Sequence, residues 1–307
     1  MLWKNARRSD NVDDRRGDPG APPELGGGGG GGRGPGIKIG LGGLVVLAAA
    51  AYFLGINPAE LLQVVSQAQG GGAPASSSPG QASSPGQPAV PGAKPTDAAG
   101  DFSSVVLADT EDTWTKVFAS LGKQYVPPTL VLYRDQVDSA CGYESAATGP
   151  FYCPGDTRLY LDTSFFDELR ALGAPGDFAQ AYVIAHEVGH HLQKLLGTTD
   201  QVERETSRAD QVGAEGISVR VELQADCYAG AWAHSAQQRG VLEQGDVEEG
   251  LAAAASVGDD RLQRSAGRRV TPETWTHGSS EMRTRWFRRG FDAGDISQCD
   301  TFSAQSL

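Results

Sequence analysis

Residues 186–191 read His-Glu-Val-Gly-His-His. Side chains four apart share one face of a helix, so His186 and His190 would present two imidazoles to one metal ion. Glu187, offset by one position, would hold a water beside that ion. A carboxylate next to an activated water is a general base, and the chemistry on offer is metal-assisted hydrolysis. The alternative is structural: two core histidines bonded to backbone and a glutamate paired with Lys194 or an arginine. His191 falls about 100° round from His190 and cannot share its metal face, so it reads as a supporting or structural residue.

A catalytic zinc site takes a third protein ligand and keeps one position open. Residues 222–226, Glu-Leu-Gln-Ala-Asp, supply two carboxylates four apart on a second helix. Glu222 would ligate and Asp226 would orient a ligating histidine; a solvated acidic face is the competing reading. Glu187 would deprotonate a water activated by zinc, direct it at a peptide carbonyl and pass the proton to the leaving amine. His277 is the histidine best placed to stabilise the oxyanion, with Tyr160 or Tyr143 as substitutes. It reads equally well as a neighbour of the cap that opens the last helix. His234, among Ala and Gln, reads as surface.

The elements that must carry these groups follow from periodicity. Residues 176–196 repeat apolar side chains around a helix whose middle would be buried, where two His and a Glu are costly unless a metal and its water satisfy them. Gly189 inside this helix costs up to about 1 kcal/mol against Ala and hints at a close neighbour. Helices are also expected at 113–125, 164–172, 206–239, 246–262 and 279–291, with Thr163 and Asp177 as N-caps and Gly173, Gly197 and Gly240 as stops. Residues 129–134 and 157–162 alternate and form the best strands. Between them lies a Cys-bounded segment of loop or hairpin character. The fold class expected is α+β, mostly helical, with a small sheet.

Composition divides the chain. A large share of the 41 Gly and 17 Pro among 307 residues sits in two tracts, 17–36 and 66–100, which read as tethers. Between them, 39–56 carries no charge and is near the lower length for crossing a bilayer. Lys4, Arg7, Arg8, Arg15, Arg16, Arg33 and Lys38 precede it, and the positive-inside rule would then place the N-terminus in the cytoplasm. A cleaved signal peptide competes, but its leader would be unusually long. The expectation is a cytoplasmic tail (1–38), a single-pass inner-membrane anchor (39–56), a linker (57–100) and an extracytoplasmic domain (101–307). Net charge is −12, and the part after 56 is more negative still, which disfavours nucleic-acid partners. Four cysteines in that part are expected to pair as Cys141 with Cys153 and Cys227 with Cys299, with reduced buried thiols as the alternative.

Taken together, residues 186–191 and 222–226, Gly149-Pro150-Phe151-Tyr152-Cys153-Pro154 and Thr276-His277-Gly278-Ser279 resemble the bacterial neutral zinc metallopeptidases of the YpfJ type. The resemblance covers about 101–302 and the N-terminal anchor. The order of the two motifs is also similar to that of HtpX and the CAAX prenyl endopeptidases, whose third ligand matches Glu222 and whose Thr-His resembles Thr276-His277. It implies a zincin-like, gluzincin-type domain with one catalytic zinc ion and a protein or peptide substrate. Substrate identity and oligomeric state do not carry over. By analogy with such sites, residues 157–162 are the expected edge strand for a substrate. A second hypothesis is a zinc-stabilised, catalytically idle scaffold or partner-binding ectodomain. Nucleophilic hydrolysis and nucleotide binding find no motif.

Overall fold

The computed structural model describes residues 1–16, 94–145, 148–205 and 211–307. The expected anchor at 39–56, the tether at 17–36 and residues 66–93 of the second tether lie outside the described residues, whereas residues 98–100 of that second tract are helical and correct the expectation there. Among the described residues no helix is long and apolar enough to cross a membrane.

The class is α+β. In chain order the elements are β1 (Val12–Asp14), α1 (Ala98–Ser120), β2 (Thr129–Tyr133), β3 (Gln136–Ser139), β4 (Gly142–Ser145), β5 (Phe151–Cys153) and β6 (Arg158–Asp162). There follow α2 (Phe165–Ala171), α3 (Asp177–Leu196), α4 (Thr198–Glu205), α5 (Ile217–Gln238), α6 (Asp246–Ser256), α7 (Asp259–Ser265) and α8 (Ser280–Ala293). One sheet has the order β1-β2-β6-β5, with β1, β2 and β6 parallel and β5 antiparallel to β6. A separate hairpin joins β3 and β4. Strand β6 is thus interior, and its backbone is shared between β2 and β5. The sequence expectation that 157–162 is the edge is corrected: β5 is the edge on that side.

Residues 1–16 correct a second expectation. They are no disordered tail but part of the same unit as residues 94–307. Val12, Asp13 and Asp14 pair with Leu130, Val131 and Leu132. Of the arginines counted as orienting charges, the four among the described residues are engaged: Arg7 with Glu111 and Asp112, Arg8 with Asp101, Arg15 with Asp13, and Arg16 with Asp14 and Asp97. The amino group of Met1 sits among Asp177, Glu243 and Asp246 at 2.8–3.3 Å.

Helix α1 starts earlier than its apolar spacing shows because Asp97 caps it, accepting from Ala99 and Gly100. It also ends earlier, at Ser120. The expected helix at 246–262 breaks at Gly258 into α6 and α7. Helix α3 is capped by Gly176 rather than by Asp177, which is its first residue, and it stops at Gly197 in the left-handed conformation, as expected. Ser164, one residue past the expected Thr163, stands at the N-cap of α2.

Helices α3, α5 and α8 form the core beneath the sheet, with Tyr182, Val188, Leu223, Trp232, Trp286 and Phe287 fully buried. Two close crossings set their spacing. A Cβ on Gly189 would lie 3.0 Å from the backbone of Ala225, so the expected close neighbour is α5. A Cβ on Gly290 would lie 1.9 Å from the carbonyl oxygen of Cys227, so α8 touches α5 backbone to backbone. Disulfides Cys141–Cys153 and Cys227–Cys299 form as the sequence suggested.

Candidate metal centre

Helix α3 presents His186 and His190 on one face, and α5, held close by Gly189, presents Glu222 opposite. Nε2 of His186 lies 3.2 Å from Oε2 of Glu222, and Nε2 of His190 lies 3.5 Å from Oε1. Tetrahedral zinc with bonds of about 2.0–2.2 Å places neighbouring ligand atoms about 3.3–3.5 Å apart, so the three residues fit that ion.

The histidines are oriented from behind. Nδ1 of His186 faces Oδ1 of Asp226 at 2.9 Å, and Nδ1 of His190 faces Oε1 of Gln193 at 2.9 Å. Both acceptors fix the Nδ1–H tautomer and turn Nε2 toward Glu222. Gln193 is itself anchored by donating to the Val221 carbonyl at 2.7 Å.

Asp226 is fully buried and bidentate to Arg283, at 2.8 Å from Nε and 3.0 Å from Nη2. Tyr182 donates to the same carboxylate. Burial opposes ionisation of Asp226, but Arg283 and His186 outweigh it and lower its pKa. Burial likewise opposes the charged form of Glu222, while His190, the hydrogen bond from His186 and His277 hold its carboxyl well below the usual range. For His186, desolvation is outweighed by Asp226 and Glu222, and its pKa is pushed up to about 9. Glu222 is therefore held as a carboxylate, the form that can ligate a cation.

Glu187, one residue along α3, lines the same cleft of about 660 Å³ as the three ligands, and so does His277. His277 is half-exposed and near Oδ1 of Asp259, at 3.5 Å from Nδ1. Oδ2 of Asp259 accepts from the backbone N–H groups of Thr276, His277 and Gly278 at 2.7–3.0 Å and so shapes that turn. Tyr160 donates to Asp156 and Tyr143 bonds Gln136; neither lines the cleft, so they do not substitute for His277. His234 is half-buried and bonds the Phe291 carbonyl rather than lying free on the surface. His191 points away from the cluster, as its helical angle implied.

Comparison with known proteins agrees with this geometry. A family model described as "Putative neutral zinc metallopeptidase" matches residues 1–302. The chain belongs to that family. It is 48% identical over 305 residues to the Uncharacterized protein YpfJ of Escherichia coli (strain K12), covering 98% of this chain and 99% of that protein. It is 43% identical over 221 residues to the Uncharacterized protein Rv2575 of Mycobacterium tuberculosis, covering 68% of this chain and 74% of that protein. No solved structure matches the chain. The family match begins at residue 1 and so includes the segment that forms β1.

Arg283, Gln193 and Tyr182 escaped the sequence reading. Arg283 had a signal: it shares a stripe with Trp286, Phe287 and Gly290, all buried, and an arginine in such a stripe demands a carboxylate partner. Gln193 lies three residues after His190, within reach on the same helix face.

Proposed function

We propose that this protein is a zinc-dependent endopeptidase of the gluzincin type, hydrolysing peptide bonds of proteins or peptides. The observation that carries the reading is the convergence of His186, His190 and Glu222 at ligand spacing with Glu187 in the same cleft. A zinc ion held by those three residues would polarise the scissile carbonyl and acidify a water.

The chain's own residues supply the rest. Glu187 takes the proton from the attacking water on its carboxylate and delivers it to the departing amine. His277, across the cleft and near Asp259, donates to the oxyanion as the carbonyl carbon becomes tetrahedral. Among the described residues strand β5 leaves one edge unpaired beside α3, along which an extended peptide would pair through its backbone. Apolar walls at Phe151, Phe165, Leu172, Val183 and Leu262 suit side chains of medium and large apolar residues.

Two disulfides support a working place in an oxidising compartment outside the cytoplasm. The test is cleavage of an unbiased peptide mixture by the zinc-loaded full chain. Glu187→Gln should abolish cleavage while zinc content is retained. Cleavage at the wild-type rate by that variant would remove Glu187 from the role of base.

A further inference from the structure

We propose that His191 is a positioning residue that sets the register of the substrate-binding strand β5 against the metal helix, through its hydrogen bond with Tyr152. The proposal rests on the peptidase reading and deepens it. His191 follows the ligand His190 and is 1% exposed. Its Nε2 lies 2.7 Å from the carbonyl oxygen of Val126, which can only accept, so Nε2 carries the proton. Nδ1 is then an acceptor and receives the Tyr152 hydroxyl at 3.1 Å. Tyr152 is the middle residue of β5 and lines the cleft, and its ring meets the imidazole edge-on at 5.4 Å.

Strand β5 is three residues long and is held laterally by β6 and by the disulfide at Cys153. The link from Tyr152 to His191 is what fixes its distance from the helix bearing His186 and His190. A misplacement of about 1 Å between a bound peptide and the reacting groups costs on the order of a hundredfold in rate, so this link governs how well a paired peptide is presented.

The experiment compares two probes on the zinc-loaded full chain: acetohydroxamic acid, which needs only the metal, and a tripeptide hydroxamate, which also needs the strand. Tyr152→Phe removes the hydroxyl and keeps the ring. His191→Phe keeps a ring against Tyr152 and removes the acceptor for its hydroxyl, together with the donor to Val126. Each should weaken the tripeptide hydroxamate roughly tenfold, the worth of one hydrogen bond to the bound geometry, and leave acetohydroxamic acid unchanged. The double variant should lose no more than either single one. Parallel loss of both probes, no loss of either, or losses that multiply would overturn the proposal. If neither probe binds zinc-loaded wild type, the peptidase reading falls and this inference with it.

A second observation stands apart from catalysis. We infer that residues 1–16 and 94–307 fold in one compartment. Strand β1 lies in the sheet, Glu111 is buried and accepts from Asn11 at 2.8 Å and from Ser9 at 2.5 Å, and the backbone of Asn11 and Arg15 bonds β2 at 2.8 Å at the two ends of the strand. A chain crossing a bilayer once between residues 16 and 94 cannot build that sheet. Four of the basic residues that would orient such a crossing are spent in ion pairs within the fold.

Trp3 packs edge-on against Phe102 of α1 at 5.2 Å between centroids. A photo-crosslinking benzophenone amino acid placed at Trp3 of the full chain, irradiated in intact Escherichia coli cells expressing it, should give a peptide joined to 98–120. Absence of that joined peptide would overturn the inference.

Discussion

His186 and Glu222 are 36 residues apart in the chain, yet the imidazole Nε2 of one lies 3.2 Å from the carboxylate of the other. The contact exists because α3 and α5 approach closely at Gly189 and Ala225. Behind it, Asp226 receives His186 on one oxygen and Arg283 on both, so the metal-facing atoms rest on a buried, charge-balanced support.

That support should be measurable in metal affinity. Asp226→Asn keeps the shape of the side chain but removes the charge that fixes His186, and zinc affinity should fall about 10–100-fold. Competition with a chelator of known affinity measures it. An unchanged affinity would show that Asp226 does not orient the ligand.

Removing Arg283 leaves the Asp226 carboxylate buried without its cation. Arg283→Met should destabilise the fold by about 3–5 kcal/mol, the usual cost of breaking a buried pair from one side. Chemical denaturation of the metal-free chain gives the number. A loss below about 1 kcal/mol would mean that Asp226 is satisfied without Arg283.

The contact of α8 with α5 predicts a backbone penalty. Gly290→Ala forces a methyl to within 1.9 Å of the Cys227 carbonyl unless the helices separate. A destabilisation of about 1–3 kcal/mol is expected from overpacking. Gly240→Ala, just past α5 and in open space, carries left-handed backbone strain without a clash, whereas Gly290→Ala carries the clash without that strain. Thermal unfolding of both variants tests the difference.

The N-terminal segment should loosen in acid. The hydrogen bond from Arg16 lowers the pKa of Asp97 to about 2, and Arg8 lowers that of Asp101. Asp14 is lowered as well, burial being outweighed by Arg16. A carboxyl with a depressed folded pKa stabilises above its unfolded value, near 3.8 here, and that contribution is lost as pH falls toward 2. Hydrogen exchange at the β1 amides, corrected for intrinsic rates, should therefore rise more than that of β6 between pH 4 and pH 2.5. Arg16→Ala should flatten the difference; identical acid responses of β1 and β6 would contradict the account.

Much of the centre was legible because its ligands sit at helical spacing. His186, His190, Glu222 and Asp226 are each one turn from a partner, and the structure brings all four together. What was not legible depends on which element packs beside which. Strand β1 is three residues, Val-Asp-Asp, with no alternation to announce it, and only β2 gives it a partner. The edge was misassigned because 157–162 has the better strand pattern, yet that pattern marks an interior strand buried on its neighbours, while β5 is short and half-exposed. His191 was placed away from the metal by its helical angle, but nothing local pointed to Tyr152, 39 residues earlier.

The most direct test of the central claim is the zinc content of the purified full chain, wild type beside Glu222→Ala. One zinc per chain in the wild type and little or none in the variant, with both folded, is the expected result; a folded wild type that takes up no zinc, or a variant that holds it as tightly, would contradict a centre built from His186, His190 and Glu222.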